Sequence, residues 1–120
     1  MLLPKETIPG KKPFISNSDV YLESSHLCIK KNIAEKLFGS EAIVLTIYYP
    51  QDRVFMMAPT SEEFFKKIHK AKQQMLKSKN AQGDKSVSLQ ELILDEGINE
   101  ANRDLEFEME AALSILKVKL

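Results

Sequence analysis

The sequence predicts an α+β protein, a small body of β-hairpin and sheet followed by a helical C-terminal part. Three observations predict it. Short runs rich in β-branched and aromatic residues surround Tyr21, Val44 and Phe55. Capping signatures open helices between and after them, and apolar residues recur at helical spacing from Ile98 to Leu120. With 120 residues, 43% hydrophobic and 28% charged, the chain has the size and composition of one ordinary globular domain.

Residues 1–13 hold Pro4, Pro9, Pro13 and the pair Lys11-Lys12 without apolar periodicity, and read as an extended N-terminal arm. Residues 14–80 read as a β-α-β domain with an outer helix. Val20-Tyr21-Leu22 and His26-Leu27-Cys28-Ile29 flank the polar Glu23-Ser24-Ser25, the pattern of a hairpin with Val20 and Leu22 on one face. Asn32-Ile33-Ala34-Glu35 is a capping box, Ile33 and Leu37 stack at helical spacing, and Gly39 can close the short helix. Ala42 to Tyr49 is almost uniformly apolar, which suits a strand covered on both faces. Pro50 to Arg53 supplies the turn and Val54 to Ala58 the return strand. After Pro59, Thr60-Ser61-Glu62-Glu63 opens the outer helix, with Phe64, Ile68, Ala71 and Met75 on one face and lysines 66, 67, 70, 72, 77 and 79 crowding the rest. A polar linker runs from Lys77 to Ser86, with Gly83 as its break.

Residues 81–120 read as an amphipathic helical segment. Ser88-Leu89-Gln90-Glu91 is a further capping box, and Ile98, Ala101, Leu105, Met109, Ala112, Leu116 and Leu120 advance by three or four residues each time. A competing strand reading rests on the alternation of Leu105 to Glu110 and of Leu116 to Leu120. The helix is preferred because its period survives six intervals, whereas the alternation breaks at Ala111-Ala112.

No apolar run is long enough to cross a bilayer, and the opening residues lack a secretory signal, so a soluble chain is expected. The single cysteine, Cys28, fits a reducing, cytoplasmic location. The formal charge is zero but uneven, since residues 1–86 are basic on balance and residues 87–120 acidic. That asymmetry suits an anionic partner for the first part, or pairing of the two parts within an oligomer. His26 and Cys28 share a strand face, but tetrahedral zinc needs further ligands and His69 is the only other histidine, so no metal is expected. Cys28 reads as a small buried hydrophobe, and Glu106, Glu108 and Glu110 as a solvated face. With no complete nucleophile, base or carboxylate pair, the chain reads as a non-enzyme without catalytic residues or cofactors.

The order of elements from Phe14 to about Lys70 resembles one repeat of the MraZ regulators and the wider AbrB-like (SpoVT-AbrB) group of swapped-hairpin DNA-binding domains. With one residue missing from the turn, Leu22-Glu23-Ser24-Ser25-His26-Leu27-Cys28-Ile29 stands where those families carry Leu-Asp-x-x-Gly-Arg-hydrophobic-x-Ile, the arginine being replaced by His26 or absent and Lys30 standing at the proline after the isoleucine. Asn32 to Leu37 resembles the short helix, Ile43 to Thr46 the next strand, and Val54 to Pro59 with Glu62-Glu63-Phe64 the strand that runs into an outer helix. A second repeat, sought at Leu94-Asp95-Glu96-Gly97-Ile98, meets Asn99 and Glu100 where a buried strand residue belongs, and reads as degenerate or unrelated. The resemblance implies a transcription regulator and an obligate homodimer that exchanges its hairpins between chains. It implies a DNA-facing surface of Lys30, Lys31, His26, Lys36 and Arg53. The alternative is a protein-interaction or oligomerisation module working through the apolar stripe from Ile98 to Leu120. Either reading expects at least a dimer.

Overall fold

Ser24 and Ser25 both take positive φ, 52° and 63°, as a two-residue hairpin turn requires. β1 (Val20–Glu23) and β2 (His26–Ile29) therefore fold back on each other, with Leu22 opposite Leu27 and Val20 opposite Ile29. This is seen in a computed structural model of the chain, which describes residues 14–62, 67, 71–110 and 114–120. Helix α1 (Lys31–Phe38) follows, burying Ile33, Ala34, Leu37 and Phe38, and ends at Gly39, whose φ is 57°. The apolar run becomes β3 (Ile43–Tyr49), returned by the turn at Arg53 to β4 (Val54–Pro59). Next come β5 (Lys72–Met75), β6 (Lys77–Ser78), β7 (Lys85–Ser88) and helix α2 (Gln90–Glu96). The last strands are β8 (Arg103–Asp104), β9 (Glu106–Glu110) and β10 (Ile115–Lys119).

These strands form two five-stranded antiparallel sheets, the first in the order β6-β7-β2-β1-β8 and the second in the order β5-β3-β4-β10-β9. Both orders follow from an internal duplication. The series hairpin, helix, hairpin occurs as β1-β2-α1-β3-β4 and again, about 60 residues later, as β6-β7-α2-β9-β10. Equivalent strands pair with each other at the centre of each sheet: β2 with β7 around Leu27 and Val87, and β4 with β10 around Met56 and Lys117. A local two-fold axis thus relates the halves. At the margins the chain passes from one sheet to the other. Leu76 links β5 to β6 and donates its N–H to the Ala42 carbonyl at 2.9 Å; Leu105 links β8 to β9 and donates to the Val20 carbonyl at 3.0 Å. Both corner leucines are buried.

Between the sheets lies one core. Val20, Leu22, Leu27, Ile29 and Val87 enter it from the first sheet, and Val44, Phe55, Met57, Leu116 and Val118 from the second, all essentially without solvent contact. Burial of each contributes about 1.5–3 kcal/mol. α1 and Ile93 of α2 complete it.

The fold departs from the α+β expectation: the protein is mostly β, and of the expected helical C-terminal part only the short α2 is present among the described residues. Leu105, Met109, Leu116 and Leu120 satisfy helix and strand patterns alike. Phe107 and Val118 separate them, because a helix would leave both on its polar face. As strands, β9 and β10 turn Val118 fully inward and Phe107 and Met109 against the core, while Glu106, Glu108 and Glu110 face outward. The break at Ala111-Ala112 lies outside the described residues, in the interval joining the two strands. α2 ends at Gly97, whose N–H reaches the Ile93 carbonyl and whose left-handed φ of 64° and ψ of 36° bring the Ile98 N–H to the same carbonyl at 3.1 Å.

The outer helix expected from Glu63 to Lys79 is also corrected over its second half, where residues 72–75 and 77–78 are strands; Glu63 to Lys66 and Ile68 to Lys70 lie outside the described residues. Hairpin exchange between chains is not needed either, because the second half of the same chain supplies β7 and β8 on either side of the first hairpin. The strand around Val44 and the residues around Leu105, expected to require a second copy for cover, are buried by the chain itself. Nor does Asn32 cap α1. It lies within the first turn and donates to Asp19 at 3.3 Å, while the cap position falls to Lys30.

Candidate functional site

Alternation along the first sheet sends Val20, Leu22, Leu27, Ile29 and Val87 into the core, which leaves the intervening side chains on the outer face. Tyr21, Cys28, Ser86 and Lys77 form one cross-strand row there, and Glu23, His26 and Ser88 the next. The local axis between Leu27 and Val87 emerges among His26, Cys28, Ser86 and Ser88. Between these rows and Lys79 lies a shallow depression of about 450 Å³.

Its polar groups are tied to one another. The Lys79 ammonium lies 3.0 Å from Glu23 and 5.8 Å from the centre of the Tyr21 ring. That bond to Glu23 holds the lysine above its ordinary range. Phe14 packs against the same tyrosine, with ring centres 5.8 Å apart. Burial raises the Tyr21 hydroxyl and pushes the Cys28 thiol up to about 11 against the opposing pull of Lys79. At neutral pH Cys28 is therefore a protonated thiol, and it donates to the His26 carbonyl at 3.7 Å. His26 donates from Nδ1 to the Ser24 carbonyl at 2.9 Å, which leaves Nε2 of the neutral ring as an acceptor. No group of three metal-ligating side chains occurs among the described residues, and His69 lies outside them.

The five residues expected at a DNA-facing surface do not form one patch. Lys30 and Lys31 stand together where α1 begins, and both are bound through their backbones. Lys30 donates its N–H to Asp19 O at 2.9 Å, and Lys31 donates to the Asp84 carboxylate at 2.9 Å. An aspartate from the β6–β7 turn thus already occupies the positive end of the helix. The lysine stem packs closely enough that a Cβ on Gly83, φ 101°, would come within 3.0 Å of Lys31 Cδ. Lys85 lies opposite Ile29 and so beside Lys30. His26 belongs to the outer face described above, Lys36 is exposed in the last turn of α1, and Arg53 sits in the β3–β4 turn of the other sheet, its carbonyl holding the Leu120 N–H at 2.8 Å. The two-fold relation places Gln90 and Glu91 where the first half has Lys30 and Lys31, so the basic helix start is not repeated.

Sequence reading missed Lys77, Lys79, Asp84 and Lys85 as neighbours of these groups, because the helical period through Met75 put the lysines on a solvated face. A second cleft, about 730 Å³, separates α2 from β3 and β5, with Tyr48 and Phe55 in its wall and Lys72, Glu91 and Glu96 around it. There Thr46 donates to Gln74 at 2.7 Å and Gln74 donates to the Ser88 carbonyl at 2.9 Å, a polar chain that ties the two sheets. No described helix is long and apolar enough to cross a membrane. Compared with family models, curated proteins and solved structures, the chain matches none.

Proposed function

We propose that this chain is a non-enzymatic DNA-binding protein, resembling the MraZ and AbrB-like regulators in role, that meets a duplex with the outer face of the first sheet. The observation that carries the reading is the local two-fold axis that emerges there between β2 and β7. Duplex DNA has dyads of its own perpendicular to its axis, so a two-fold face can meet both strands alike. Lys77 and Lys79 supply donors on that face, and Lys30 and Lys31 extend them along its margin. The start of α1 contributes side-chain charge only, because Asp84 holds the Lys31 N–H. Bidentate base reading is sparse: Arg103 spends its guanidinium on the carbonyls of Asn99, Ala101 and Leu120. Binding therefore rests on phosphate contacts and falls steeply with salt.

Fluorescence anisotropy with a labelled duplex across a salt series tests this. Binding at low salt should weaken in Lys77→Glu/Lys79→Glu and in Lys30→Glu/Lys31→Glu, and the salt slope should flatten by about 0.9 for each phosphate that is no longer neutralised. Absence of binding at low salt, or parent-like slopes in both variants, would sink the reading. A second reading, a protein-interaction module, is favoured by the cross-strand pair Ile43 and Met75, which are 42% and 61% exposed. Self-association that Met75→Lys abolishes, together with no DNA binding, would select it.

A further inference from the structure

We infer that the edge of β9 left uncovered by the described residues is a docking site for an extended, basic segment of a partner protein, which adds to the second sheet as an antiparallel strand. The inference is independent of the DNA reading, because this edge belongs to the other sheet.

The internal duplication indicates what fits there. β9 is the counterpart of β3, and the outer edge of β3 is covered by β5 in antiparallel register, Ile43 opposite Met75 through Thr46 opposite Lys72. The equivalent ladder beside β9 begins in the same way, with Tyr21 opposite Asp104 and Leu105 bonded to the Val20 carbonyl. Among the described residues it then stops. The chain before Val20 is drawn aside by the Asp104 carboxylate, which accepts the Ser16 hydroxyl at 2.7 Å and the Asn17 N–H at 3.2 Å. Alternate residues of a strand turn their backbone groups to the same edge, so Phe107 and Met109 present N–H and C=O to the open side, as Leu105 does to Val20.

Burial points the same way. Thr46, an inward side chain of the strand that β5 covers, is 1% exposed, whereas its counterpart Phe107 on β9 is only half-buried. Charge chooses the occupant. Glu106, Glu108 and Glu110 are exposed on one face of β9, and among the described residues only Glu110 has an ion pair, with Lys117 at 2.9 Å. Two β9 strands laid antiparallel would set glutamate against glutamate, which disfavours a second copy. A segment with Lys or Arg at every other position meets that face, and small apolar residues between them cover Phe107 and Met109. Its backbone supplies the ladder, as in other strand-addition complexes.

The test uses the full chain and a short acetylated, amidated peptide alternating lysine with valine, followed by calorimetry and amide hydrogen exchange. Saturating peptide should slow exchange at Phe107 and Met109 at least tenfold, and Glu106→Lys/Glu108→Lys, both exposed positions, should weaken binding at least tenfold. A peptide N-methylated at alternate residues should not bind. Equal binding of the N-methylated peptide, indifference to the double substitution, or no peptide binding would overturn the inference. So would slow exchange at Phe107 and Met109 in the free chain, whether fixed or rising with protein concentration.

Discussion

Val118→Ala distinguishes a strand from a helix at the end of the described chain and has a calculable cost. Val118 is fully buried, opposite Phe55 of β4 on one side and Phe107 of β9 on the other. Removing two methyl groups forfeits about 1.6 kcal/mol of transfer free energy, at about 0.8 kcal/mol each. The neighbours are held in two ladders and relax little; a residual void of about 40 Å³ adds about 1 kcal/mol. The expected loss is about 2.5 kcal/mol. With a urea dependence of roughly 2 kcal/mol per molar for a chain of this size, the midpoint should fall by about 1.2 M. Far-UV circular dichroism should follow the transition, because the chain has no tryptophan. Lys119→Ala, one residue on and exposed, should leave the midpoint in place. A Val118→Ala midpoint within about 0.2 M of the parent, or equal losses for both variants, would refute the inward assignment.

Asp84→Ala removes the acceptor of the Lys31 N–H and of the Asn80 amide, and should cost about 1–2 kcal/mol, read as a fall of roughly 3–8 °C in Tm; an unchanged Tm would mean that water replaces the cap. Because the Cys28 thiol is raised from 9.0 to about 11, the native state keeps a proton that the unfolded state loses first. Its contribution is thus intact below about pH 9 and lost as pH rises toward 11, so Cys28→Ala should flatten the decline in urea midpoint across that window. Iodoacetamide at pH 8 should modify the native thiol far more slowly than the unfolded one, and equal rates would contradict its burial.

The first half of the fold was legible in the sequence where local chemistry and tertiary structure agree. The polar turn at Ser24-Ser25, the apolar run from Ile43 to Tyr49 and the stacked Ile33 and Leu37 each point to one conformation. The second half was obscured by three conflicts. Lys72-Gln73-Gln74-Met75 has little intrinsic preference for a strand, and the exposed edge of β3 makes it one. The turn between β6 and β7 spans residues 79–84, against two residues in the first hairpin, which hides the repeat from a register comparison. Asn99 and Glu100, taken as misplaced strand residues, belong to the connection in which Asn99 binds the Ala101 N–H and Arg103 binds the Asn99 carbonyl. At the candidate site His26 and Cys28 were visible as a same-face pair. Their basic neighbours were not, because Lys77 and Lys79 reach the outer face only through the β6–β7 hairpin and its pairing with the distant β2.

The pairing of equivalent strands at the centre of both sheets also governs the order in which the protein can come into being. During synthesis β4 waits for β10 and β2 waits for β7, so neither sheet has its middle until the second half has been made. The first half emerges with Val44, Phe55 and Met57 paired in their own hairpin but without the second-half strand β10 that completes their sheet, and that ladder spans about 60 residues of chain. Such long-range closure is slow, on the order of milliseconds to seconds. Until Lys119 is in place the nascent chain is a template in which β2 and β4 each keep one unpaired edge, open to any passing β-strand and, above all, to another copy of its own first half.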